Sequence, residues 1–249
     1  MPKLEGKVAV VTGGNSGIGK AAARLFAQEG ARVVVTGRRQ DVLDQAVAEI
    51  GHGAVGICGD VADLDHHRAL AEEVERRFGG LDVYVANAAV ITIAPSAQVT
   101  PAEYDAHFAV NTRGVFFGVQ AIAPVMRDGG SIIVTSSLAA TKVLDNHAVY
   151  AGSKAAVAAF ARSWALELKS RRIRVNVLSP GPTETAILGK LGIPEAEVPG
   201  FLHAVSQTIP AGRMGSAEEL ASAALFLASD DSGFVNGAEL HVDGGMALV

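Results

Sequence analysis

The chain has 249 residues, 49% of them hydrophobic and 5% aromatic, with a formal charge of -5. That length fits one large α/β domain, and Ala, Val, Ile, Leu and Gly suit helices packed closely on a parallel sheet. The acidic balance leaves no basic stripe to neutralise phosphates, which argues against a nucleic-acid partner.

Short β-rich apolar runs alternate with longer helical patterns along the sequence. The runs are 8–11, 32–36, 54–58, 83–86, 132–135, 175–178 and 238–242, with helices expected near 17–29, 41–50, 64–78, 101–127, 149–170 and 217–229. Asp65 and Thr100 read as helix N-caps, Pro101 as a first helical residue, and Gly30, Gly51 and Gly79 as C-terminal caps. Strict alternation predicts a single-domain, Rossmann-type, doubly wound parallel sheet of about seven strands flanked by helices. Cys58, the only cysteine, is expected as a small buried residue of the third strand. It forbids an intrachain disulfide and points to a reducing compartment. No apolar run reaches membrane-spanning length, and Met1 to Lys7 lacks a signal-peptide core, so the expectation is a cytoplasmic protein with no membrane partner.

One interval breaks the rhythm. Pro180-Gly181-Pro182 leads into a stretch near 183–215 with prolines at 194, 199 and 210 and apolar side chains at Ile187, Leu188, Leu191, Ile193, Val198, Phe201 and Leu202. Its place after a strand's carboxyl end predicts a substrate lid; a helical hairpin covering core or a subunit contact is the alternative.

The first strand runs directly into Thr12-Gly13-Gly14-Asn15-Ser16-Gly17-Ile18-Gly19 and a helix. Glycines there allow a tight turn and close backbone approach to a pyrophosphate resting on the helix N-terminus. The second strand ends Thr36-Gly37-Arg38-Arg39 with no acid. An acidic residue would bind the ribose 2′-hydroxyl of NAD, whereas a guanidinium suits the 2′-phosphate of NADP. NADP(H) is therefore the expected cofactor and NAD(H) the alternative, with Asp60 as an acceptor for the adenine amino group or as a turn cap.

Tyr150 and Lys154 stand four residues apart in an expected helix and so share a face. A tyrosine has a pKa near 10, and a neighbouring ammonium favours the phenolate; lowering the pKa by roughly three units corresponds to about 4 kcal/mol. The pair reads as a tuned acid/base. The histidines show no H-E-x-x-H or zinc-like spacing and no G-x-S-x-G elbow occurs, so neither a metal site nor serine hydrolysis is expected. Arg171, Arg172 and Arg174 read as a solvated helix end, with contact to an acidic carrier protein as the alternative.

Together these residues resemble the short-chain dehydrogenase/reductase family over essentially the whole chain. The matching segments are Thr12 to Gly19, Asp60-Val61, Asn87-Ala88-Ala89, the quartet Asn111, Ser137, Tyr150 and Lys154, then Pro180-Gly181 with Thr183 and Thr185, and Val242-Asp243-Gly244-Gly245. Ala89, Ala140 and Asn236 stand where glycine, glycine and threonine are usual, and Ser16 where the NADP-preferring branch often has a basic residue. The resemblance implies hydride transfer between a nicotinamide and a ketone or secondary alcohol. Tyr150 would be the general acid/base and Ser137 would hold the reacting oxygen. Lys154 would bind the nicotinamide ribose, and Asn111 would hold a water linking Lys154 to solvent. It also implies a homotetramer, with 101–127 and 149–170 pairing across one interface and the C-terminal strand across another. Sugar dehydrogenase, 3-oxoacyl-acyl-carrier-protein reductase and non-catalytic dinucleotide sensor are alternatives.

Overall fold

The structure, a computed structural model, describes residues 1–185 and 197–249. Seven parallel strands form the main sheet: β1 (Val8–Thr12), β2 (Arg32–Gly37), β3 (Val55–Cys58), β4 (Leu81–Ala86), β5 (Met126–Thr135), β6 (Arg174–Pro180) and β9 (Glu239–Val242). Their order across the sheet is β3-β2-β1-β4-β5-β6-β9. The helices are α1 (Gly17–Gln28), α2 (Gln40–Ile50), α3 (Leu64–Phe78), α4 (Pro101–Phe108), α5 (Val115–Ile122), α6 (Ala148–Glu167), α7 (Val198–Gln207) and α8 (Ala217–Ala228). A short two-stranded sheet joins β7 (Thr183–Glu184) to β8 (Gly215–Ser216).

Side-chain alternation explains the layering. Ala9, Val11, Val33 and Val35 face Phe26, Leu43 and Leu220 on one side. Val8, Val10, Val34 and Val134 face Leu70, Val119, Val157 and Trp164 on the other. Successive strand residues point to opposite faces, so a strand covered on both sides must be apolar throughout. Phe26 is fully buried, and its truncation to alanine would cost about 3–5 kcal/mol.

The expected seven strands and doubly wound topology are present, with local corrections. The expected helix 101–127 is broken by a π-helical segment at Ala109–Gly114 and ends in a 3-10 turn at Ala123–Val125. Gly114 lies so close to Val61 that a Cβ there would come 2.5 Å from the Val61 carbonyl oxygen. The N-cap of α3 is Asp63 rather than Asp65: its carboxylate accepts from the Asp65 N–H at 3.0 Å, and Asp65 sits in the first turn. Thr100 does cap α4, in a reciprocal capping box with Glu103. Cys58 is exposed, because β3 is the sheet's edge strand.

Arg172 is exposed, as a solvated helix end requires, whereas Arg171 and Arg174 are only partly so. Arg171 donates to the Ala123 carbonyl and to Asp128, while Arg174 braces the end of α8 through Leu227, Ser229 and Ser232. Asn236 accepts from the Val175 N–H and donates to the Ala165 carbonyl, tying β6 to α6. The 183–215 stretch contains α7 and is closed at its base by the β7–β8 pair. Ile187, Leu188, Leu191, Ile193 and Pro194 lie outside the described residues.

Candidate active site

The strand order reverses between β1 and β4, where the loops leaving two adjacent parallel strands diverge and open a crevice. Thr12 joins the two loops: its hydroxyl accepts from the Asn87 and Ala88 N–H groups at 3.0 and 3.1 Å and donates to the Val85 carbonyl. The Asn87 amide donates to the Thr12 carbonyl at 3.0 Å and reaches the Gly13 carbonyl. It therefore shapes the glycine loop.

Above these strand ends lies one cleft of about 820 Å³. Gly13, Asn15, Ser16, Gly17, Ile18 and Gly19 line it from the first loop. Gly37, Arg38 and Arg39 follow β2, Asp60 and Val61 follow β3, and Asn87, Ala88 and Ala89 follow β4. Ser137, Tyr150 and Lys154 also line the cleft, as do Pro180, Gly181, Thr183 and Thr185. Thr183 donates to the Gly181 carbonyl, and Thr185 packs beside Gly17.

The glycine loop fits a dinucleotide. Gly13 has φ +65° and would place a Cβ 2.9 Å from the Ala88 Cα; a Cβ at Gly19 would lie 2.5 Å from the Asn87 amide. Side chains are excluded from this cradle, which opens onto the N-terminus of α1. Thr36 and Thr135, two residues of the cleft lining, have buried hydroxyls without a protein partner. At the β2 end, Arg38 is largely exposed and lies 3.5 Å from the Asp60 carboxylate. The other Asp60 oxygen accepts from the Ala62 N–H at 2.9 Å, so this residue does cap the turn.

Asn111 does not line the cleft. It is fully buried, on the π-helical segment. Its amide donates to the Val90 carbonyl at 2.9 Å and to the Ser153 hydroxyl at 3.1 Å, and its oxygen accepts from the Val90 N–H at 2.8 Å. Both donors are occupied, leaving one acceptor lone pair for a water.

The electrostatics differ from the expected tuned pair. The Lys154 ammonium nitrogen is 5.9 Å from the Tyr150 ring centre and donates to the Thr135 carbonyl at 2.8 Å. Burial pushes the Tyr150 phenol above its ordinary value, with the Ser137 hydroxyl opposing the rise. Burial also lowers Lys154 to about 8. Desolvation is the largest cause of both shifts, and it favours the neutral form of each group.

Phe201, one of the apolar residues expected in the 183–215 stretch, lines the cleft, together with Ile91, Ile93, Leu144, Val205 and Met246, which were not singled out. His147 lines it too, beside Tyr150. The unforeseen residues come from separate loops and α7, and only the i,i+3 relation of His147 to Tyr150 marks one of them by spacing. Among the described residues no cluster of three or more His, Cys, Asp or Glu is arranged to hold a metal, and no helix is long and apolar enough to cross a membrane.

A family model described as enoyl-(acyl carrier protein) reductase matches residues 13–247. A 3-oxoacyl-[acyl-carrier-protein] reductase of Thermotoga maritima is 39% identical over 99% of this chain and 100% of its own. A D-threitol dehydrogenase of Mycolicibacterium smegmatis is 38% identical over 99% of this chain and 95% of its own. A solved short chain dehydrogenase/reductase family protein is 41% identical, superposes with a TM-score of 0.89, and covers 99% of this chain and 100% of its own. With a sheet order, a cleft and full-length similarities all of one kind, the chain belongs to the short-chain dehydrogenase/reductase family, oxidoreductases that use a nicotinamide dinucleotide.

Proposed function

We propose that this oxidoreductase uses NADP(H) to interconvert a ketone and a secondary alcohol. The carrying observation is that Ser137, Tyr150 and Lys154 line the same continuous cleft as the glycine loop and Arg38. Bound nicotinamide supplies the hydride in reduction and takes it up in oxidation. Glycines 13, 17 and 19 let the backbone approach the pyrophosphate, and Arg38 with Arg39 offers guanidinium donors for a 2′-phosphate. Lys154 holds the nicotinamide ribose. Ser137 donates a hydrogen bond to the substrate oxygen, a form of oxyanion stabilisation. Tyr150 gives that oxygen its proton in reduction and removes it in oxidation. Asn111 fixes the loop carrying Val90 against α6 and offers its remaining lone pair to a water on the proton route.

Residues 183–215 act as the substrate lid of a single catalytic domain; Phe201 and Val205 of α7 on the cleft wall support this. A homotetramer is supported by exposed apolar side chains at Tyr104 and Leu166 on the α4–α5 and α6 helices, and at Phe226 and Phe234 near the last strand. A cytoplasmic location is supported by the exposed, unpaired Cys58.

Reduction of a carrier-bound 3-oxoacyl group is the second reading, favoured by the name of the Thermotoga maritima relative. Arg171 and Arg174, which could otherwise have offered a contact for an acidic carrier protein, spend donors on the Ala123 and Leu227 carbonyls, and this weighs against that reading. The test is a paired NADH/NADPH screen across ketones, sugars and β-ketoacyl thioesters, with Tyr150→Phe as control. Turnover should require the phenol while NADPH binding persists; near-normal turnover by Tyr150→Phe refutes the acid/base role. Binding of NADPH without turnover across the screen would favour a dinucleotide sensor.

A further inference from the structure

The loop that follows β4 is bonded along one edge at every second residue. The Val90 N–H donates to the Asn111 side chain at 2.8 Å, Thr92 to His107 Nε2 at 2.9 Å and Ala94 to the Asn146 carbonyl at 3.0 Å. Alternate N–H groups of an extended chain point the same way, so these three bonds act as a partner strand would. Side chains alternate as well. Ile91 and Ile93 line the cleft, whereas Thr92 and Ala94 border a separate gap of about 10 Å³ with Glu103, His107 and Asn146. His107 is the buried residue of α4, 4% exposed, and does not line the cleft. An N–H can only donate, so Nε2 is the acceptor, and Nδ1 carries the proton and donates to the Glu103 carbonyl at 2.9 Å. Both ring nitrogens are engaged, and the neutral ring ties the end of α4 to the loop.

We infer that His107 is a positioning residue for substrate selection. It touches neither the reacting atoms nor the coenzyme site; through the Thr92 N–H it fixes Ile91 and Ile93 as an apolar wall. That wall favours ketones whose apolar remainder is large enough to reach it. The inference rests on the carbonyl-reductase reading of the same site. Leucine at position 107 fills similar space but offers no acceptor, so the Thr92 N–H loses its partner and the loop its middle bond. The glycine cradle and the proton transfer of Ser137 and Tyr150 do not involve this ring. Loss of the bond should therefore weaken the hold on a bulky ketone and spare the coenzyme.

The experiment compares 4-phenyl-2-butanone with 2-butanone, methyl ketones that differ by the phenyl group, in the full-length enzyme with NADPH. The quantity read is the kcat/KM ratio of the pair in wild type divided by that ratio in His107→Leu. A value of about ten is expected, the effect of one lost hydrogen bond. It should be carried by KM for the phenyl ketone, with KM for NADPH unchanged within about twofold. His107→Gln, whose amide both accepts and donates, should keep part of the preference. In an Ile91→Ala, Ile93→Ala background the same His107→Leu change should no longer alter the ratio, because no wall remains to be placed. A merely structural role would lower both ketones alike, so a quotient near one overturns the proposal, as does its persistence in that background. Should His107→Leu fail to fold by circular dichroism, Thr92→Pro removes the donor instead and must give the same quotient. If neither ketone is reduced, the carbonyl-reductase reading fails, and calorimetry of 4-phenyl-2-butanone on the NADP⁺-loaded wild type and variant still decides. Binding about tenfold weaker in the variant supports the proposal; equal affinities, or no binding to either protein, overturn it.

Discussion

Asn111 grips the backbone of Val90 at both its N–H and its carbonyl, at 2.8 and 2.9 Å, as a neighbouring strand would. This pairing fastens the loop after β4 to a π-helical segment beside α6, where Ser153 takes the second amide proton. π-Bulges are often found at functional sites.

Asn111→Leu would leave the Val90 groups and the Ser153 hydroxyl without that partner in a buried setting. We expect a loss of about 3 kcal/mol, read as a lower urea midpoint, together with reduced kcat. An unchanged midpoint would show that the grip contributes nothing to folding.

The pH dependence should separate the two reaction directions. Burial holds the Tyr150 phenol above its ordinary value, so it stays protonated across neutral pH, the form that donates during reduction. The reductive kcat/KM should therefore be flat from about pH 6 to about pH 8 with respect to this group. Oxidation needs the phenolate, whose fraction rises about tenfold per pH unit below the pKa. A reductive rate that falls through pH 7 because of Tyr150 would contradict a raised phenol.

Lys154 is 1% exposed and held at about 8 against an ordinary 10.5. Below pH 8 the amine is charged in both states, and the folded chain bears the full burial penalty. Between about 8 and 10.5 the folded chain has lost the proton and the unfolded chain retains it, so stability rises with pH. The interval corresponds to about 3 kcal/mol. Lys154→Met should stabilise the free protein at pH 7 by up to that amount, while abolishing turnover. The advantage should vanish by about pH 10.5 in paired urea melts, and a gap that widens with pH would reverse the sign of this argument.

Arg38 faces solvent and the Asp60 carboxylate, a pairing that a 2′-phosphate could take over with a more complete set of guanidinium bonds. Arg38→Ala should raise KM for NADPH by about tenfold or more and leave KM for NADH within about twofold. Equal effects on both coenzymes would remove the NADP assignment.

Much of the architecture was legible in the linear chain because buried parallel strands must be apolar on both faces and their crossovers helical. Strands such as 8–11 and 175–178 carry that pattern without ambiguity. Thr12 to Gly19 was legible for a related reason: a backbone that must turn at positive φ and admit no Cβ permits few residues. Cys58 was misplaced because strand periodicity does not reveal which strand is the edge. The π-helical turn at 109–114 was invisible in a helical period; it ends at Gly114, which sits against Val61, a residue distant along the chain.

Sequence alone determined the layered architecture and the glycine cradle, both set by hydrophobic period and local backbone geometry, whereas Ser137, Tyr150 and Lys154 were singled out together by resemblance to the family. Tertiary structure alone decided how those groups ionise, because desolvation depends on everything packed around them. It also decided that the Asn111 amide serves Val90 and Ser153, and that His147 is polar in an otherwise apolar wall. Those relations join residues from different loops, and no spacing along the chain encodes them.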